Sequence, residues 1–224
     1  MEGNTVNYKT KKIAMLGVLV ALCFLSVLII NIPVVPLDFL KYEPKDVLLA
    51  ITGFVFGPIS AAIVSVIEAF FENILIDSNT IPFGFIMNVI SSCSFACTAA
   101  VIYKRNHTLK GAIVGLIAGT VASTALMLLW NYLITPLYMT WTTREEIVKM
   151  LAPIFLPYNL LKCSANAALT MLVYKPVVNA LRRAHLIESY EKGTTGTRNI
   201  GIILVSLLVL ATCVLCVLVL RGVI

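Results

Sequence analysis

Apolar residues fall in blocks long enough to cross a bilayer, and polar residues collect in the short gaps between them. A crossing needs about 20 mostly apolar residues. The clearest block is Ile200–Leu220, and residues 13–30, 81–103, 109–134 and 152–178 form four more. Residues 47–76 are apolar too, but Gly57-Pro58 interrupts them. That dipeptide marks a turn, so a helical hairpin is expected there. Its first arm, 47–56, is short at about 1.5 Å rise per residue. The pattern predicts seven helices, and no segment alternates as a barrel strand does.

Composition places this pattern in a membrane. Of 224 residues, 59% are hydrophobic and only 12% charged, whereas a soluble domain carries about 25% charged residues. The fold class is therefore all-α, a polytopic membrane helical bundle. Charge sets its orientation, because inner loops collect Lys and Arg. With the N-terminus inside, the inner segments hold eleven cations and three acids, and the rest of the chain holds six cations and eight acids. The formal +6 thus reports topology and gives no reason to expect nucleic acid. The N-terminus lacks the short apolar core and small-x-small site of a cleavable signal. The organisation read from the chain is a six-helix membrane domain over 1–190, a polar linker over 191–199 (EKGTTGTRN), and an additional C-terminal transmembrane helix within 200–224. The C-terminus then lies outside.

Catalytic chemistry finds little support. Cys93/Cys97 and Cys213/Cys216 share helix faces but sit in apolar runs without His or carboxylate, where small apolar packing is the usual role of cysteine. His107 and His185 fall in inner polar segments, and no G-x-x-x-x-G-K-[ST] loop is present to cradle ATP phosphates. No metal site and no catalytic residue is expected.

Polar residues inside the helices are more telling, since a central charge costs about 2.5–3.5 kcal/mol on insertion scales. Asn88, Asn131, Asn159 and Lys162 fall near the outer ends of their helices. Asn159 and Lys162, three apart, share one face, and Asn166 continues it a turn deeper. Glu68 and Glu72, four apart, line one face of the outer half of their helix. Together these residues converge on a pocket open to the outside. Amides also bridge membrane helices, for about 0.6 kcal/mol on average. Glu72 is expected near the solvated interface, and Glu68 and Lys162 could form a structural ion pair. The segment 31–46, NIPVVPLDFLKYEPKD, sets prolines beside Leu37, Phe39, Leu40 and Tyr42. Prolines limit it to extended forms, and it reads as a lid that sets Leu40 and Tyr42 against the pocket or as an ordinary connection. In 135–150, Tyr138 and Trp141 read as possible interface anchors.

F-L-K-Y-E-P-K-D (39–46), G-F-V-F-G-P (53–58), Gly84-x-x-x-Asn88, W-N-Y-L-I-T-P-L-Y (130–138) and P-Y-N-L-L-K (157–162) follow in an order that resembles the substrate-binding S component of energy-coupling factor (ECF) vitamin transporters, most nearly the riboflavin-binding type. The resemblance covers about residues 10–185. It implies a six-helix protein that captures vitamin outside and docks on a transmembrane coupling subunit with two cytosolic ATPases. By motif, Asn131, Asn159 and Lys162 would hold the flavin ring, and the segment around Leu40 would face the ribityl chain. Two departures are plain: Glu68-Ala69 stands where the family pattern carries Lys-Asn, and the seventh helix is extra. The chemistry agrees with the implied ligand, since the pyrimidine edge of a flavin alternates acceptor and donor. Asparagine supplies both kinds of group and Lys donates, while Tyr132 or Tyr158 could back the ring. Riboflavin is then transported substrate and no cofactor is implied. A phosphate ester would want more positive charge.

Ala14, Gly17 and Ala21 form one small-residue face of the first helix, a pattern that lets helices approach closely. The family is similar in using such a face against the coupling subunit. Other readings stay open: a different vitamin or flavin analogue, a membrane redox enzyme built on Cys93/Cys97, or a structural subunit without ligand.

Overall fold

The computed structural model describes residues 2–34, 40–76, 82–139, 143–183 and 200–220. Helix α1 (Glu2–Ile29) leads into a small antiparallel hairpin, β1 (Ile32–Pro33) against β2 (Lys41–Tyr42). The hairpin is closed by Val34 N–H donating to the Leu40 carbonyl at 3.0 Å. Then follow α2 (Lys45–Phe56), α3 (Pro58–Leu75), α4 (Phe83–Arg105) and α5 (Leu109–Leu133). A turn of helix α6 (Thr135–Tyr138) precedes α7 (Arg144–Met150), a π-helical turn (Leu151–Phe155), α8 (Leu156–Arg183) and α9 (Ile200–Leu220).

The turn between α2 and α3 forms where the sequence indicates. Gly57 takes φ +90°, a region L side chains avoid, and Pro58 opens α3 at the position where a missing N–H costs nothing. Helix α2 is not a peripheral arm, however. It spans about 18 Å, and nine of its twelve residues are buried between α1, α3, α4 and α8. By length and composition five helices are suited to cross a membrane; α2 is too short, and α8 carries too many polar residues within its apolar run.

Lipid tails are as apolar as leucine, so burial alone does little to join membrane helices; close packing must do it. The α4–α5 seam meets that requirement with small residues. A Cβ at Gly115 would stand 2.6 Å from the Ala99 carbonyl oxygen, and one at Gly119 would stand 2.6 Å from that of Phe95. Ala96, Ala99, Ala100 and Ala112 are fully buried nearby.

Two elements differ from the sequence reading. The outer connection at 135–150 is largely helical: Thr143 and Glu146 make a reciprocal capping box at the start of α7. The chain then runs through the π turn, where Pro153 cannot donate an N–H, into α8. The hairpin of residues 31–46 is also no loose connection. Val34 and Leu40 are buried against Ile147, Phe155 and Tyr158, so it caps one end of the bundle. Leu37, Phe39, Trp141, His185 and the 191–199 linker lie outside the described residues. Helix α9 packs on α8 with most of its surface exposed.

Candidate binding site beneath the hairpin cap

Antiparallel helices bring the start of α2, the end of α3, the start of α4, the end of α5 and the start of α8 to the end of the bundle that the hairpin covers. Five of the six side chains singled out as ligand-binding meet there around one cavity: Leu40 from the hairpin, Asn88 from α4, Asn131 from α5, and Asn159 and Lys162 from α8. Met87, Ser91, Met127 and Tyr158 complete the wall. The open space is about 20 Å³, room for roughly one water. A three-ring guest enters only if the walls part.

Two of the three cavity amides are each held by a hydrogen bond. The Asn131 oxygen accepts from Thr135 Oγ1 at 3.0 Å, and the Asn159 amide nitrogen donates to the Phe155 carbonyl at 2.7 Å, inside the π turn. The wide turn thus supplies an acceptor that fixes Asn159. Tyr158 donates to the Lys41 carbonyl at 2.6 Å, tying α8 to the cap.

Lys162 does not reach outward. It is 8% exposed, and its Nζ lies 3.7 Å from Glu43 Oε2. Glu43 also lies 3.3 Å from Lys45 Nζ, and Lys45 pairs with Glu72 and, at 3.6 Å, with Glu68. Burial pushes the Glu43 carboxyl upward, but Lys45 and Lys162 beside it win and hold it below the usual carboxylate range. Asp46 accepts from Ser92 Oγ at 2.6 Å and from Asn166 Nδ2 at 3.2 Å.

Several readings of single residues are corrected by this network. Glu72 is fully buried, not solvated at the interface. Glu68 pairs with Lys45, not with Lys162. Tyr42 does not line the cavity. Its hydroxyl donates to Asn166 Oδ1 at 2.9 Å, and its ring faces a groove shared with Cys213 and Val217 of α9. Burial raises the Tyr42 hydroxyl above its ordinary value. Asn166 serves the ionic network, and Tyr132 is exposed, with the Arg144 guanidinium 5.7 Å from its ring centre. Tyr138 stacks on Phe83 with ring centres 5.3 Å apart.

Glu43, Lys45, Asp46 and Ser92 were not singled out by sequence, yet they order the site. A signal existed: two acids on one face of α3, with no cation on that helix, require positive charge from elsewhere. Cys93 and Cys97 approach each other, and Cys97 Sγ donates to the Pro58 carbonyl at 3.4 Å. Among the described residues no set of His, Cys, Asp or Glu is grouped to hold a metal. On α1, Ala14, Gly17 and Ala21 all face outward, and a Cβ at Gly17 would meet nothing within 4 Å.

A bundle of apolar helices, closed at one end by a cap over a few placed polar groups, defines a multi-pass membrane protein with a candidate site inside the bundle. Residues 11–174 match the family described as ECF transporter, substrate-specific component, and the chain belongs to that family. It is similar to the riboflavin transporter FmnP of Bacillus subtilis (strain 168), with 30% identity over 191 residues, 80% of this chain and 99% of that protein. It is also similar to the riboflavin transporter RibU of Staphylococcus aureus (strain TCH60), with 28% identity over 78% of this chain and 94% of that one. A solved structure described as the S component of a bacterial ECF transporter superposes with a TM-score of 0.66 at 27% identity, covering 78% of this chain and 99% of its own.

Proposed function

We propose that this chain captures riboflavin from outside the cell and delivers it, chemically unchanged, to an ECF coupling subunit and two cytosolic ATPases that drive uptake. The observation that carries the reading is the convergence of Leu40, Asn88, Asn131, Asn159 and Lys162 on one capped cavity. Relatives named as riboflavin transporters support the choice of vitamin.

In this reading the cap is the gate. Loosening the contacts of Val34 and Leu40 with α7 and α8 opens the cavity, and the flavin edge enters among the amides. Asn131 offers its amide nitrogen as donor, Asn159 offers its oxygen as acceptor, and Lys162 donates to a ring carbonyl. Such sites combine apolar walls with few placed polar groups. Because Glu43 stands beside Lys162, the cavity offers little net charge to a phosphate, and the neutral vitamin is preferred over its phosphate ester. Residues 1–190 form the binding domain, with the N-terminus cytoplasmic and the C-terminus outside.

The exposed Ala14–Gly17–Ala21 face is the docking surface for the coupling subunit, since two helices approach closely only where side chains are small. Gly17→Leu is expected to leave riboflavin affinity unchanged and to abolish uptake in cells; loss of both together would refute this division. The reading itself is tested by titrating purified protein with riboflavin, its phosphate ester and unrelated vitamins, following flavin fluorescence and competition. Tight binding of riboflavin alone is expected. Tight binding of an unrelated vitamin in its place would reassign the ligand.

A further inference from the structure

Glu43, Asp46, Glu68 and Glu72 are all buried; packed among them are buried Lys45 and Lys162 and half-buried Lys41. Among the described residues, four carboxylates against three ammoniums leave at least one negative charge without a counter-charge. A buried carboxylate in that position neutralises rather than remaining ionised.

Glu68 marks the place. It is 0% exposed, neither of its oxygens has a hydrogen-bond donor, and its cation, Lys45, stands 3.6 Å away while making its closest contact with Glu72. Glu72 Oε1 lacks a donor as well. The two carboxyls, one helical turn apart on α3, converge on the same Lys45 ammonium. Two carboxylates are both acceptors, so they bond only if one carries a proton.

The neighbouring elements supply no substitute. From α1, Cys23 is turned to the Lys45 carbonyl. From α2, Asp46 adds negative charge. From α4, Ser92 is committed to Asp46. From α8, Lys162 is paired with Glu43, and the Asn166 amide nitrogen donates to Asp46 and the Glu43 carbonyl.

We propose that Glu68 and Glu72 form a proton-binding site in which one proton, held at neutral pH, bridges the two carboxyls. Loading moves a proton from solvent to one carboxylate, making an O–H that donates to the other and removing one negative charge. Release returns the proton to solvent and leaves Lys45 facing two full charges on α3. That draws Lys45 from Glu43, which is also the partner of Lys162 in the cavity wall. The proton site is thereby one carboxylate removed from the ligand cavity, and it stands whether or not riboflavin is the ligand.

The test uses the full chain in detergent. Infrared spectra at pH 7 are expected to show the carbonyl band of a protonated carboxylic acid, shifting in heavy water, absent in Glu68→Gln and retained in Glu145→Gln, whose side chain is exposed on α7. A wild-type spectrum without that band, or a band that survives Glu68→Gln, overturns the proposal. A native state holding one more proton than the unfolded chain loses stability as pH rises, by about tenfold in the folded ratio per pH unit between the unfolded and folded carboxyl pKa values. The wild-type melting temperature should therefore fall with rising pH over that window, and Glu68→Gln should flatten the slope. Stabilisation by sodium chloride beyond that by choline chloride would assign the missing positive charge to a metal cation and contradict the proposal.

Discussion

Two polar regions share the capped end of the bundle, and they are built on opposite plans. The ionic cluster of Glu43, Lys45, Glu68 and Glu72 is packed shut, with every member 5% exposed or less. The amide cavity a few residues away keeps about 20 Å³ open, and its wall mixes Asn88, Asn131 and Asn159 with Leu40, Met87 and Met127. Both carry groups that are expensive in an apolar setting. The cluster meets most of that cost with internal counter-charge, which locks the cap and α2 to α3. The cavity leaves donors and acceptors for something else. Glu43 joins the two, since it touches Lys45 on one side and Lys162 on the other.

If the cluster is structural, removing its cation is the most damaging change in the molecule. Lys45→Met strands buried carboxylates, and breaking a buried pair from one side costs about 3–5 kcal/mol; thermal melts in detergent should show the loss, with little expression of folded protein. A stable Lys45→Met variant would mean the acids are not ionised around it.

The cavity should respond differently. Asn131→Ala and Lys162→Ala are each expected to weaken riboflavin binding by about 1–3 kcal/mol, because a polar ligand group is left unpaired in a buried place. Fluorescence titration measures it.

Glu43→Gln separates the two plans. It frees Lys162 from its carboxylate, so riboflavin affinity should rise by roughly tenfold, the scale of one charge-assisted hydrogen bond. Unchanged affinity would show that Lys162 does not donate to the bound ring.

The smallest effect should come from the region outside both. Helix α9 buries little besides Ser206, and it meets α8 on the side away from the cavity. Truncation after residue 190 should leave riboflavin affinity within about twofold of the full chain, since side chains outside a site change its energetics little. A large loss would make α9 part of the binding domain.

The helices were legible because apolar runs and Gly57-Pro58 are local signals, and the amides because an asparagine in an apolar helix stands out at once. Asn88, Asn131, Asn159 and Lys162 needed only an assigned depth to be brought together. What sequence hid was pairing at a distance. Lys45 lies 23 and 27 residues from Glu68 and Glu72, and nothing local says that a lysine in a polar loop turns inward to meet them. Tyr42 failed for a related reason: two residues apart on an extended strand, Leu40 and Tyr42 are expected on one face, yet Leu40 lines the cavity while the Tyr42 hydroxyl reaches Asn166. Glu72 was misplaced because the hairpin cap, invisible as structure in the sequence, seals an end of the bundle that would otherwise be wet. The helix of 144–150 escaped because REEIVKM is too short and too polar to register as an apolar run, although Thr143 and Glu146 carry a local capping signal.

The central claim is that the capped amide-and-ammonium cavity is the vitamin site. Calorimetric titration of the purified chain and of the Asn131→Ala/Lys162→Ala double variant with riboflavin tests it most directly. One saturable site in the parent, with binding weakened by about thirtyfold or more in a double variant that still melts like the parent, is the predicted result. Equal affinity in the two proteins would place the vitamin elsewhere.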